Sequence, residues 1–183
     1  MSLLTAALTD SVKALALELG FDLVTAGPAG PPEHGPALRD WLEAGYAGTM
    51  GYLERRVEER LDPARVLPGA RSVLCVALNY FQGEPADASW RPVARYAWGH
   101  DYHDVIGPRL ERLAGYLAEA AGARSRGYVD TGPVLERDLA ARAGLAPGVD
   151  EHAAASIALL DRGISYWSLI AVGLVVYPLS KRK

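Results

Sequence analysis

Residues 71–80 read RSVLCVALNY, and Val73-Leu74-Cys75-Val76-Ala77-Leu78 within them are apolar without interruption. Pro68-Gly69 precedes this run and Gly83 follows it. A short apolar run closed off by turn residues predicts a strand buried on both faces of a sheet, and therefore a central one. Cys75, the only cysteine of the 183 residues, is expected as part of the core. A single thiol excludes an internal disulfide and any cysteine-ligated cluster or zinc site within these residues.

Upstream, Leu4, Leu8, Val12, Leu15 and Leu19 mark one face of a helix that Gly20 would stop. Phe21 to Ala26 predicts a short strand, and the Pro- and Gly-rich residues 27–32 a loop. Leu38, Trp41 and Leu42 suggest a helix ending near Gly45. Leu53, Val57 and Leu61 form an i, i+4, i+8 stripe opposite alternating charges, ended by Asp62-Pro63. Downstream, Ile106, Leu110, Leu113 and Leu117 predict a long helix from about Tyr102 to Ala121, with Gly122 beyond it. Ser125 to Val129 predicts a strand. Pro133 at a first helical position and Gly144 past the end bracket a last helix with Leu135, Leu139 and Ala143 on its core face. Alternating strands and helices predict an α/β fold in one main domain.

Half of the residues are apolar, 22% are charged and the net charge is −3. That balance announces neither a disordered acidic tail nor a strongly basic nucleic-acid surface. The first twenty residues lack the features of a signal peptide, so a cytoplasmic location is expected. Arg55, Arg56, Arg60, Arg65 and Arg71 alternate with Glu54, Glu58 and Glu59, the usual pattern of a solvated face.

Two segments carry candidate chemistry. In YVDTGPVLER (128–137), Asp130 sits between an expected strand and an expected helix, with Thr131 the N-cap and Gly132 permitting close backbone approach. Asp130 is either a cap that complements the helix dipole or a functional carboxylate at the carboxyl end of a strand. As a proton donor it would need its pKa raised against the dipole, which burial against a large apolar ligand could do. In RYAWGHDYHD (95–104), five aromatic or imidazole rings, one arginine and two acids surround a glycine. His100 and His103 at i, i+3 are a weak metal pair without a third ligand. A planar-ligand wall and an ordinary helix entry with capping acids are the other readings.

The stretches LALELGFDLVTAGPA, GYAGTMGYLERRVEERLDPARVLPGARSVLCVALNY, RYAWGHDYHDVIGPRLERLA and YVDTGPVLERDLAARAGL follow one another in this order. Together they resemble the N-terminal half of epoxyqueuosine reductases, from about residue 3 to Leu145. The resemblance implies a corrinoid-binding domain over residues 1–145, with a mixed sheet flanked by helices, similar to flavin-nitroreductase-like and cobalamin-processing proteins. It implies reduction of epoxyqueuosine to queuosine in tRNA, with cobalamin as cofactor and Asp130 as proton donor. Arg60, the backbone near Ala94 and Arg95, and Tyr96 and His103 fall on positions expected to hold cobalamin, beside Asp130. The implied partners are tRNA and a corrinoid, with no membrane, and a monomer is expected. A non-catalytic corrinoid- or flavin-binding module is the alternative reading.

The chain departs from the family pattern in two places. His100 stands where the family usually has another basic residue. After Leu145 the family continues with a Gly-Trp-containing stretch and cysteine-rich motifs for two [4Fe-4S] clusters, whose ligands are absent here. A one-base shift over the codons of residues 148–152 can spell Gly-Trp-Met-Ser, so residues 146–183 are expected to be a frameshifted, non-family tail. No turnover with a biological reductant is expected of these residues alone. The apolar run Ile164 to Leu179 is shorter than a membrane span and is expected as a buried strand or helix, or as a misfolded segment.

Overall fold

The computed structural model describes residues 6–79, 97, 99–145 and 169–178, the last ten by backbone alone. The chain opens with α1 (Ala6–Glu18), β1 (Leu23–Pro28) and α2 (Gly35–Glu43), then two short helices, α3 (Val57–Leu61) and α4 (Pro63–Val66). β2 (Ser72–Asn79), α5 (Tyr102–Ala121), β3 (Ala123–Gly127), α6 (Glu136–Arg142) and β4 (Leu169–Pro178) follow. The α/β class stands, with helices packed on a small four-stranded sheet ordered β1-β2-β4-β3.

β2 is interior, as its apolar run requires. It pairs with β1 on one side, where Cys75 faces Thr25, and with β4 on the other, where Cys75 faces Gly173. Alternate residues of β2 serve two separate cores. Leu74 and Val76 pack with Val12 and Ala16 of α1 and with Ile106, Leu110, Leu113 and Leu117 of α5. Val73, Cys75 and Ala77 point the other way, into a core with Val66, Leu67, Val134, Leu139, Ala140 and Leu145. Cys75 is buried, and loss of solvent pushes its thiol up to about 12, with the Glu136 charge adding to the effect.

All three described pairings are antiparallel. Within the described residues the sheet is thus antiparallel and not mixed. The apolar run of β2 reports burial on two faces, and helices on both faces produce that burial whatever the strand direction. Residues 169–178, inside the segment expected to lie outside the family, form the strand between β2 and β3. Val172, Val175 and Val176 there are β-branched, which suits a pleated pairing. Among the described residues no helix is long and apolar enough to cross a membrane.

α5 and β3 set the geometry at one end of the molecule. Asp101 caps α5, accepting from the His103 N–H at 2.9 Å, and Gly122 closes the helix in the left-handed region at φ 59°. The 20-residue helix runs about 30 Å. The chain then turns back, and eight extended residues from Gly122 to Asp130 would cover about 26 Å. Tyr102, at the start of α5, therefore lies level with Asp130, just beyond β3.

Candidate active site

Asp130 sits in the loop between β3 and α6, and its backbone takes a left-handed conformation at φ 62°. The Thr131 N–H donates to the Val129 carbonyl at 2.6 Å, closing a three-residue turn with Asp130 at its centre. Among non-glycine residues Asp is one of the few that tolerate this region, and such strain is held only where surrounding contacts enforce it. Three contacts do so. The Tyr102 hydroxyl donates to Asp130 Oδ2 at 2.8 Å. Arg60 Nη1 donates to the Gly132 carbonyl at 3.2 Å, so α3 holds the residue two beyond Asp130. Pro133 and Val134 are buried and anchor the loop's far side.

This arrangement corrects the expectation that Pro133 opens the last helix with Thr131 as its cap. α6 begins at Glu136, with Leu135 at the N-cap position. Burial of Pro133 and Val134 outweighs the local preference of a Gly-Pro pair for a helix start. Asp130 consequently lies outside the first turn of α6, where the helix dipole has largely fallen off. Gly132 also has a different purpose from the one expected. A Cβ there would stand 2.4 Å from Tyr128 Cγ, so it is the Tyr128 ring that comes close to this backbone.

The exposed Asp130 and the half-buried Arg60, Tyr102 and His103 are gathered at this end of the sheet. The Tyr102 and His103 rings are 4.2 Å apart at 30°. His103 Nδ1 lies 2.8 Å from Asp101 Oδ1, and the two hydrogen bonds from His103 hold the Asp101 carboxyl below its ordinary range. The ordinary helix entry with a capping acid is therefore what residues 101–104 form. His103 is engaged with that cap, and among the described residues no group of three His, Cys, Asp or Glu side chains is placed to hold a metal ion. Ala94, Arg95 and Tyr96, expected to contact a cofactor, lie outside the described residues. Of the basic run, Arg56 pairs with Glu59 and Arg65 with Glu58 on the surface, while Arg60 turns inward.

Two residues of this site were not singled out by the sequence. Tyr102 reads as one ring among several in RYAWGHDYHD, and only the level return of β3 brings it to Asp130. Glu136 received no reading of its own, yet this acid of the first turn of α6 has a largely buried carboxyl, which pushes its pKa up to about 7. The nearby Asp130 charge adds to that rise, while Arg60 and the Asp130 N–H oppose it. Polar atoms remain buried without a partner at Arg60 Nε, His103 Nε2 and Glu136 Oε1.

Residues 60–131 match the protein family described as epoxyqueuosine reductase QueG, DUF1730. The epoxyqueuosine reductase of Gloeobacter violaceus is 46% identical over 139 residues, 73% of this chain and 43% of that protein. That of Leadbetterella byssophila is 40% identical over 142 residues, 75% and 46% of the two chains. That of Vibrio cholerae is 35% identical over 179 residues, 94% of this chain and 47% of the relative. The chain spans about half the length of the curated relatives it matches. In fold it is similar to an epoxyqueuosine reductase solved with a tRNA-Tyr epoxyqueuosine-modified stem loop, at a TM-score of 0.63 and 22% identity. That comparison covers 95% of this chain and 48% of the other. It is also similar to the Bacillus subtilis enzyme, solved with an aspartate-bearing catalytic loop swung out of its active site, at a TM-score of 0.67 and 20% identity. There the cover is 96% and 48%. The matched segment holds Arg60, Tyr102, His103 and Asp130 together, and over it the chain is similar to the epoxyqueuosine reductases, about half of whose length it spans.

Proposed function

We propose that this chain carries the corrinoid-binding half of an epoxyqueuosine reductase, acting on tRNA in the cytoplasm, with Asp130 as the proton donor. One observation carries the reading: an exposed aspartate held at the tip of a strained turn by Tyr102, level with the unpartnered polar atoms of Arg60 and His103. Strain of this kind clusters at functional sites. The residues fit a corrinoid. Its amide-bearing rim would take the free hydrogen-bonding capacity of Arg60 Nε and His103 Nε2, and the Tyr102 and His103 rings offer a flat wall beside Asp130. Bound cobalamin would supply the reducing chemistry at the epoxide-bearing carbon.

The protein's own residues then have distinct tasks. Asp130 delivers a proton to the epoxide oxygen, which needs a protonated carboxyl. A large apolar ligand over the exposed Asp130 would exclude water and favour that neutral form. Tyr102 fixes the carboxyl's direction, and Arg60 fixes the backbone that follows it. Loop 128–135 would move to admit substrate, a reading supported by the Bacillus subtilis relative, solved with its catalytic aspartate loop swung out of the active site. Residues 1–145 constitute the corrinoid-binding unit in this reading, to which β4 adds a strand.

Mixing the full chain with cobalamin should change the cofactor's visible absorption spectrum. With a chemical low-potential reductant, the loaded chain should convert an epoxyqueuosine-bearing stem loop. Asp130→Asn should keep the spectral change and lose the conversion. No spectral change overturns the reading, and so does conversion that survives Asp130→Asn. Spectral change without conversion in the unaltered chain favours a non-catalytic corrinoid carrier. Turnover with a biological reductant is not expected of these residues, because one cysteine cannot ligate a cluster.

A further inference from the structure

Residues 45–52 invert the usual order of burial. Among the described residues five large apolar side chains are exposed, and three of them, Tyr46 at 68%, Met50 at 39% and Tyr52 at 54%, fall in this one stretch. The residue that fastens it to the protein is instead Ala47, 2% exposed. Successive turns run through the stretch, with the Gly48 N–H donating to the Gly45 carbonyl and the Met50 N–H to the Ala47 carbonyl. Gly45 and Gly48 take left-handed conformations at φ 73° and 57°, which lets the chain fold tightly under the rings and leave them outside. The Tyr52 hydroxyl donates to Met50 Sδ at 3.8 Å, so these two side chains form one surface.

Most arginines around this surface are engaged: Arg39 and Arg65 with Glu58, and Arg56 with Glu59. Arg55 is exposed and has no ion pair among the described residues. The stretch leads straight to the candidate site, since α3 opens at Val57 and its Arg60 holds the Gly132 carbonyl beside the Asp130 turn. Five residues of chain and one helical turn separate Tyr52 from Arg60, a reach of at most about 25 Å.

We propose that Tyr46, Met50 and Tyr52 form a stacking platform for the unpaired bases of an RNA loop, with Arg55 taking one of its phosphates. The choice of RNA rests on the reading that the chain acts on tRNA. Exposed tyrosine faces stack on any base, and an unpaired arginine beside them suits the backbone between bases. Acids offset most of the charge here, so stacking should carry the affinity and salt should weaken it little. A protein partner fits less well, because a stable interface takes about 20–30 residues a side and this surface is a single loop.

The test is fluorescence anisotropy of a labelled RNA hairpin with an unpaired loop, mixed with the full chain without cobalamin, against a fully paired RNA duplex. The hairpin should bind and the duplex more weakly. Tyr46→Ala and Tyr52→Ala should each weaken hairpin binding roughly 5- to 100-fold, while Tyr52→Phe, which keeps the ring, should not. Arg55→Gln should flatten the slope of log affinity against log salt by about 0.7. No hairpin binding, equal binding of hairpin and duplex, or alanine variants that bind as the unaltered chain does each overturn the inference. So does an equal loss in Tyr52→Phe and Tyr52→Ala, which would implicate the hydroxyl instead of the ring. Self-association that the alanine variants abolish while RNA binding persists overturns it in favour of a protein contact. Both tyrosines are exposed, so thermal melts should match the unaltered chain. Should an alanine variant melt early, hairpin against duplex and the Arg55→Gln slope decide. A chain that binds the hairpin through these rings but binds no cobalamin loses only the proposed function. One that converts substrate with Tyr46→Ala and Tyr52→Ala binding RNA unchanged loses only the platform.

Discussion

The Tyr102 hydroxyl donates to Asp130 Oδ2 at 2.8 Å, so the first residue of α5 holds the side chain of a residue 28 positions later. Tyr102→Phe deletes that bond and keeps the ring against His103. The bond is exposed, so denaturant unfolding should show a loss toward the lower end of the roughly 0.5–1.5 kcal/mol that such bonds contribute. Conversion of substrate should fall by considerably more than stability, because a free Asp130 carboxyl samples several directions. Equal activity in Tyr102→Phe and the unaltered chain would show that Tyr102 does not aim the acid.

Gly132→Ala should destabilise the fold by about 1–3 kcal/mol, since the added methyl meets Tyr128 Cγ at 2.4 Å. Combining it with Tyr128→Ala should recover part of the loss. Chemical denaturation of the two single variants and the double variant measures that coupling. Strict additivity would mean that the clash lies elsewhere.

Glu136 makes stability depend on pH in an unusual direction. Its carboxyl is raised from an ordinary 4.5 to about 7, so between those values the folded chain holds a proton that the unfolded chain has released. Stability from this group therefore falls as pH rises from about 4.5 to 7, and the full deficit persists above 7. Its upper limit is about 3 kcal/mol. Glu136→Gln should flatten this part of the profile, which unfolding free energies at pH 5 and pH 8 would reveal. The same pH difference in both proteins would argue against a buried acid here.

Asp101 acts with the opposite sign. Hydrogen bonds from the His103 N–H and ring lower its pKa, so its contribution is present above the usual aspartate range and is lost as pH falls through the lowered value. Asp101→Asn keeps a cap and removes the titration. Thermal melts between pH 5 and 2.5 should drop less steeply for the variant than for the unaltered chain.

Elements that bury a continuous stripe or carry clear stops were legible in the sequence. α5 spans Tyr102–Ala121 as expected, because its four buried residues keep strict helical spacing between Asp101 and Gly122. β2 was legible from composition alone. The direction of its partners was not, since antiparallel pairing leaves no mark on an apolar run. Asp130 stood out as an acid in a Gly-Pro context, but the helix start assigned to it was wrong. Nothing local shows that Pro133 and Val134 prefer the core to a helix turn. Tyr102 and Glu136 escaped notice for a related reason: their roles depend on how α5, β3 and α6 return to one end of the sheet. The stripe Leu53, Val57 and Leu61 yielded helix only from Val57, preceded by turns through residue 56.

The place of β4 has a consequence for biogenesis. β2 is complete at Asn79 and β3 at Gly127, yet the two are separated by a strand that begins at Leu169. During synthesis one side of β2 therefore stays without its neighbour while some ninety further residues are added, which at ribosomal speeds takes on the order of ten seconds. Until then, among the described elements, β3 leans chiefly on α5. The sheet closes late and through distant contacts, which slows folding and leaves an aggregation-prone edge in the nascent chain. Chaperone capture of arrested nascent chains should therefore be strongest for those stalled after β3 and before β4.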